Sequence, residues 1–249
     1  MTKKQTIILT RIYEDNLALE QMLIKKGFVV KIIPLIKITP IDNIQIENAA
    51  KSINEYDFIV FTSSKGAKHF LPRLDNSLKI PKIICTYSKT AAAVASCGFN
   101  PDFTGDGTGS FNLAGDIDNI YGLNGKKILY PSSDIAKSSF KNRAVELGAA
   151  KVEMLPVYQN IPVEGFSTKL SNFHQNGMDD FIFVFYSESV VDNFVNSVDQ
   201  YSNINAVSIG KSTTSALLKN GILNCKEAEF PDNKHIVKAI ELFNTGGAV

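Results

Sequence analysis

The chain has 249 residues, and 26 Lys and Arg against 25 Asp and Glu leave a formal charge of +1, without the basic excess of a general nucleic-acid surface. A hydrophobic fraction of 44% is ordinary for a globular protein and enough for two cores. The longest apolar runs, such as 181–186, have the length of a buried strand and not of a membrane span, and the run 7–9 is too short for a signal-peptide core.

Ile7 to Thr10 predicts a short buried strand. Asp15 or Asn16 is expected to cap the helix that follows, which carries Leu19, Met22 and Leu23 on one face and stops at Gly27. Phe28 to Ile33 predicts a second strand. Pro34 and Pro40 enclose a short strand-like run, read as an edge strand or narrow connector because proline removes a ladder donor. A helix over Ile44 to Ile53, a strand over Phe58 to Phe61 and a helix carrying Ala67, Phe70, Leu71 and Leu74 come next. Ile83 to Thr86 is a strand and Thr90 to Cys97 a helix closed by Gly98. The stretch Gly105-Asp-Gly-Thr-Gly109 reads as a mobile loop before a helix with Leu113, Ile117 and Ile120.

From Lys127 the pattern starts again. A strand to Tyr130 and a helix marked by Phe140, Ala144 and Leu147 lead to Gly148 and a second proline-bounded run, Pro156 to Pro162. A helix face of Phe166, Leu170 and Phe173 ends at Gly177. Strands 181–185 and 206–209 alternate with helices 189–198 and 212–218, and a last helix carries Ile236, Val237, Ile240 and Phe243. Pro34 and Pro156 lie 122 residues apart, Ser63 and Ser187 124, and Thr90 and Thr213 123. Such landmarks at one offset indicate an internal duplication. Alternating strands and helices, with strands apolar enough to be buried on both faces, predict parallel sheets covered by helices, an α/β fold.

Ligands of such sheets bind beyond the carboxyl ends of the strands, where helix N-termini point. Four junctions there are rich in hydroxyls: Thr62-Ser63-Ser64, Thr86 to Thr90, Pro131-Ser132-Ser133 and Gly210-Lys211-Ser212-Thr213. Helix starts of this kind hold anions, although Ser and Thr are also the ordinary caps of any helix. Four of them, paired by the duplication, favour a large anionic ligand held between two lobes. His69, His174 and His235 show no metal-ligand spacing, and neither a nucleotide-binding loop nor a Ser/His/Asp set is visible. Three cysteines without Cys-x-x-Cys spacing fit reduced thiols in a cytosolic protein.

In order and spacing, Thr10-Arg11, Phe61-Thr-Ser-Ser64, Leu155-Pro-Val-Tyr158, Phe185-Tyr-Ser187 and Ile209-Gly-x-x-Thr213 before Gly221 resemble the uroporphyrinogen-III synthase family along essentially the whole chain. The resemblance implies two flavodoxin-like lobes joined by a two-stranded antiparallel connector. The first lobe is then discontinuous, residues 1–35 plus 160–249, and the second is 36–159 with both connector strands at its edge. The repeat alone equally allows two sequential halves.

The implied reaction cyclises a linear hydroxymethyl tetrapyrrole to uroporphyrinogen III, losing water and inverting the last ring. It needs no cofactor, nucleic acid, membrane or second subunit, so a cytoplasmic monomer is expected. Tyr158 matches the family's tyrosine on the returning connector, where a phenol either assists loss of the hydroxyl or simply bridges the lobes. Arg11, Ser63, Ser64, Thr90, Ser132, Ser187, Gly210, Lys211, Ser212 and Thr213 are the implied substrate contacts. Two positions depart from the family: Tyr87 stands where a glycine is usual, and Ser132 where an arginine is often found. A two-lobed protein that binds a tetrapyrrole or another small anion without chemistry is the alternative.

Overall fold

Strands and helices alternate through most of the chain in this computed structural model, which describes residues 5–75, 77–171, 181–198, 201 and 203–243. The first elements are β1 (Thr6–Leu9), α1 (Tyr13–Lys25), β2 (Val29–Ile32), β3 (Ile36–Pro40), α2 (Ile44–Lys51), β4 (Phe58–Phe61) and α3 (Ser64–Phe70). Next are β5 (Lys82–Cys85), α4 (Ser88–Ser96), β6 (Phe103–Thr104), α5 (Ser110–Tyr121), β7 (Lys127–Ser133), α6 (Ser139–Glu146) and β8 (Lys151–Pro162). The chain continues through α7 (Phe166–Ser171), β9 (Phe181–Phe185), α8 (Glu188–Val195), β10 (Asn205–Ser208), α9 (Lys211–Lys219), β11 (Cys225–Glu227) and α10 (Asn233–Glu241).

Two compact units result. One is Met1–Lys37 with Ile161–Val249, and the other is Ile38–Asn160. The first unit holds a parallel sheet in the order β11-β10-β9-β1-β2. Successive strand residues point to opposite faces, so Ile7 and Leu9 enter one core with Ile182 and Val184, while Ile8 enters another with Phe183 and Phe185. A sheet covered on both faces has little use for polar strand residues, which is why these strands are almost wholly apolar. In the second unit the order is β3-β8-β7-β4-β5-β6. There Ile59 and Phe61 feed one core and Phe58 and Val60 the other. These are the two flavodoxin-like lobes that the family resemblance implies.

Of the two proline-bounded runs, read as edge strands or narrow connectors, β3 is an edge strand, and β8 departs from the edge reading. It is not an edge strand, since it lies between β3 and β7. On the β3 side, Ile41 N–H donates to Val157 C=O at 3.0 Å and Val163 N–H to Leu35 C=O at 3.0 Å, an antiparallel pattern in which one residue number rises as the other falls. On the β7 side pairing is parallel, with Ser132 opposite Pro156 and Ser133 opposite Tyr158. Val157 is therefore one residue too many, a β-bulge. Bulges are where an interior strand tolerates proline, because the ladder is already interrupted there.

Helix α1 starts at Tyr13, before the predicted cap. Its N-cap is Ile12, which gives no side-chain bond. Asn16 lies inside the first turn and donates its amide backward, to the carbonyls of Arg11 at 2.8 Å and Ile12 at 3.3 Å. The 105–109 loop, read as mobile, is folded against the end of β5: Gly105 N–H donates to Cys85 C=O and Gly107 N–H to Thr86 C=O, at 2.9 and 3.1 Å. A Cβ at Gly105 would stand 2.9 Å from the Thr86 oxygen, so only glycine allows that approach. Phe173, His174 and Gly177 lie outside the described residues.

Candidate functional site

Each sheet has one place where the strand order reverses. In the unit 38–160 the chain lays down β4, β5 and β6 in one direction, then β7 and β8 on the other side of β4. The crevice beyond β4 and β7 is the topological switch point, the favoured ligand position of open parallel sheets. Gly66 lets α3 close on it, since a Cβ there would stand 2.6 Å from the Pro131 oxygen.

Around that crevice the bulge brings Tyr158 to Ser63. Regular alternation would bury every second residue, yet Val157 and Tyr158 are 0% and 7% exposed and share one core. The Tyr158 hydroxyl lies 3.0 Å from Ser63 Oγ. Ser63 is also the N-cap of α3, and its oxygen accepts from the N–H groups of Lys65 at 3.1 Å and Gly66 at 3.3 Å. With both lone pairs engaged, the Ser63 proton is the one that spans to the phenol. The proton of Tyr158 is thereby left for Ser133, the other hydroxyl that hydrogen-bonds the phenol, or for a ligand.

Burial raises the Tyr158 pKa, hydrogen bonds with Ser63 and Ser133 oppose it, and Asp134 and Tyr87 raise it further. The net shift is upward, so the phenol stays protonated at neutral pH: a proton donor, not a base. The His69 ring lies 5.9 Å from that of Tyr158, centroid to centroid. Burial, then Lys65, Arg73 and Lys68, depress the His69 pKa and keep the imidazole neutral. Sequence reasoning does not single out His69 and Ser133 as neighbours of Tyr158. Nothing local announces the bulge that brings Tyr158 to them.

The remaining predicted residues of this unit fall into two kinds. Ser64, the first residue of α3, is nearly buried, and Ser132 is 3% exposed with its hydroxyl donated to the Ser133 carbonyl at 3.1 Å. Thr90 is different. It is fully buried in the first turn of α4, and its hydroxyl has no hydrogen-bond partner. The N-cap of that helix is Tyr87, which offers no side-chain cap. An unsatisfied buried hydroxyl costs about 1–3 kcal/mol.

In the other unit β1 and β2 run one way and β9 to β11 lie beyond β1, so its switch point is between β1 and β9. Arg11 follows β1 and Tyr186-Ser187 follow β9. Thr10 donates from Oγ1 to Val184 C=O at 2.5 Å and ties the two strand ends together. The Arg11 guanidinium carbon stands 4.0 Å from the Tyr186 ring centroid. Ser187 caps α8 by accepting from Val190 N–H at 3.4 Å. At α9 the N-cap is Gly210, again without a side-chain cap, with Lys211 and Ser212 exposed and Thr213 1% exposed. Thr90 and Thr213 both occupy the third position of a helix whose N-cap gives no side-chain bond. Such helix starts leave backbone N–H donors for an anion.

A cavity of about 580 Å³ opens at the opposite, amino end of the strands in the unit 38–160, lined in part by Asp57, Lys82, Asp102 and Lys126. Its charged groups hold the strand starts. Asp57 accepts from Lys127 N–H at 2.9 Å and Lys126 Nζ at 3.0 Å, and Asp102 from Ile83 N–H at 2.8 Å. No group of three or more His, Cys, Asp or Glu suited to a metal occurs among the described residues, and none of their helices is long and apolar enough to cross a membrane.

Comparison with known proteins decides the family, because a model described as uroporphyrinogen-III synthase HemD matches residues 18–238. The chain belongs to the uroporphyrinogen-III synthase family. Among solved structures, uroporphyrinogen-III synthetase from Helicobacter pylori is similar at 17% identity with a TM-score of 0.65, covering 96% of this chain and 100% of that one. A mutant uroporphyrinogen III synthase from the extreme thermophile Thermus thermophilus is similar at 16% identity and a TM-score of 0.62, covering 98% and 100%. At these identities the likeness concerns the fold of the family. A search of curated proteins finds no match.

Proposed function

We propose that this member of the synthase family cyclises a linear hydroxymethyl tetrapyrrole to uroporphyrinogen III, with loss of water and inversion of the last ring. The observation that carries the reading is the Tyr158 hydroxyl, buried, protonated and hydrogen-bonded to two serine hydroxyls, Ser63 and Ser133, the second of which yields its place to a substrate oxygen. That proton goes to the departing hydroxyl as the carbon–oxygen bond breaks. The adjacent pyrrole nitrogen supplies the electrons, and water leaves. Ring closure later releases one proton, which restores the phenol, so atoms and charge balance.

Such an electron-rich substrate ionises readily and closes unaided to the type I isomer. The protein therefore has to hold one conformation more than it has to supply strong acid or base, which is catalysis by orientation. Each pyrrole carries an acetate and a propionate. The side-chain-uncapped starts of α4 and α9, with Thr90, Lys211, Ser212 and Thr213, suit carboxylates, as does Arg11; Ser64, Ser132, Ser187 and Gly210 complete the proposed contacts. Each helix start contributes about 0.3–1 kcal/mol toward an anion, so several must act together.

The test is product analysis. Supplied with the linear tetrapyrrole, the protein should yield the type III isomer, in a reaction that survives exhaustive chelation. Type I alone, at the uncatalysed rate, would leave only a binding protein.

A further inference from the structure

Asn16, Arg11 and Tyr186 close a ring of contacts that a helix cap or a packed core does not require. The Tyr186 hydroxyl donates to Asn16 Oδ1 at 3.0 Å, and since an amide oxygen only accepts, that proton is committed. The Asn16 amide donates to the Arg11 carbonyl at 2.8 Å. Arg11 then lays its guanidinium over the face of the same tyrosine, 4.0 Å from the ring centroid. Asn16 is fully buried and Tyr186 is 8% exposed, whereas Arg11 is half-buried. Both ends of the arginine are thus held, the backbone by Asn16 and the head group by Tyr186.

Stacking uses the face of a guanidinium and leaves the N–H donors at its edge. Among the described residues no carboxylate forms a salt bridge with Arg11. A planar fork held in place at a switch point, and in no salt bridge with those residues, is built for two parallel hydrogen bonds to a ligand carboxylate. Resting on the function proposed above, we propose that Asn16 and Tyr186 are positioning residues that present Arg11 to one substrate carboxylate. They make this carboxylate contact a fixed point, in contrast to the helix starts, which accept an anion over a range of angles. Tyr186 itself gives no proton to the reaction.

The experiment uses the full chain. Its sequence has three arginines, Arg11, Arg73 and Arg143, so the Nε–H signal of Arg11 can be assigned by its disappearance in Arg11→Lys. In the wild type that signal should report a restrained guanidinium, which Tyr186→Leu releases and Tyr186→Phe retains in part through the ring. Arg11→Lys and Tyr186→Leu should each raise KM about tenfold or more, the worth of a charge-assisted hydrogen bond, while kcat stays within about twofold. Tyr186→Phe should raise it about threefold. The double variant should be no worse than the poorer single one, because both remove the same interaction. Full additivity, a mobile Arg11 in the wild type, or an unchanged KM in Arg11→Lys would each overturn the proposal while type III product still forms. Failure of the wild type to form that product would instead overturn the reading beneath it.

Discussion

Two buried tyrosines, Tyr158 and Tyr186, follow the same environment to opposite uses. Burial raises the pKa of both. Around Tyr158 the neighbours are serines, and one of them donates to the phenol because its oxygen already caps a helix. Around Tyr186 the partner is an amide oxygen, which can only accept. The first tyrosine keeps its proton available and the second gives it to the scaffold. Burial alone therefore does not separate an acid from a strut; the direction of the hydrogen bond does.

Removing one hydroxyl from each tyrosine breaks the comparison most directly. Tyr158→Phe should lower kcat about 10²-fold with little change in KM, the lower range of general acid assistance. Tyr186→Phe should leave kcat within about twofold. Steady-state kinetics on the two variants decide it, and equal losses of kcat would abolish the distinction.

A pair of serine variants sharpens it. Ser63→Ala and Ser187→Ala each remove a helix cap and should each cost about 1 kcal/mol in urea unfolding. Only Ser63→Ala also removes the group that orients the Tyr158 proton, so it alone should reduce kcat, by about tenfold, the worth of one lost hydrogen bond in the transition state. Matching kinetics for the two would mean that Ser63 acts as a cap and nothing more.

Thr90 offers a smaller effect with a distinctive sign. Its buried hydroxyl is unpartnered, so Thr90→Val should stabilise the free protein by about 1 kcal/mol while raising KM several-fold. Thermal unfolding and kinetics on one preparation test both halves. A loss of stability would show that the hydroxyl is already satisfied.

The smallest expected effect is on pH dependence. A raised folded pKa keeps Tyr158 protonated through and above the ordinary tyrosine value of 10.0. Turnover should accordingly show no alkaline fall from this group below pH 10. A descending limb near pH 9 that vanishes in Tyr158→Phe would contradict the assignment.

Legibility in the sequence follows the range of the interaction. Strands such as Phe58–Phe61 are apolar because both faces are covered, and the hydroxyls after them follow from helix capping, so both can be read locally. Two-residue β6 and three-residue β11 escape such a reading, being too short to show any alternation. Asn16 misleads because a helix-start asparagine normally caps, and only Tyr186, 170 positions away, gives it another task. Pro156 reads as the mark of an edge, since its local sequence carries no sign of a bulge. The helix starts at Tyr87 and Gly210, which share the lack of a side-chain cap with α1, α5 and α6, look like the other hydroxyl-rich junctions. They differ in what their N-cap residue fails to do.

The surplus residue at Val157 has a consequence for inheritance. A point mutation there changes the bulk of a buried side chain, which the surrounding core tolerates to a degree. Losing the Val157 codon would regularise the ladder and leave Tyr158 opposite Ser133, whereas a codon gained there displaces the phenol by about one strand rise, ~3.3 Å, more than its hydrogen bond to Ser63 survives. What a lineage must keep out of this segment is added length, more than changed lettering.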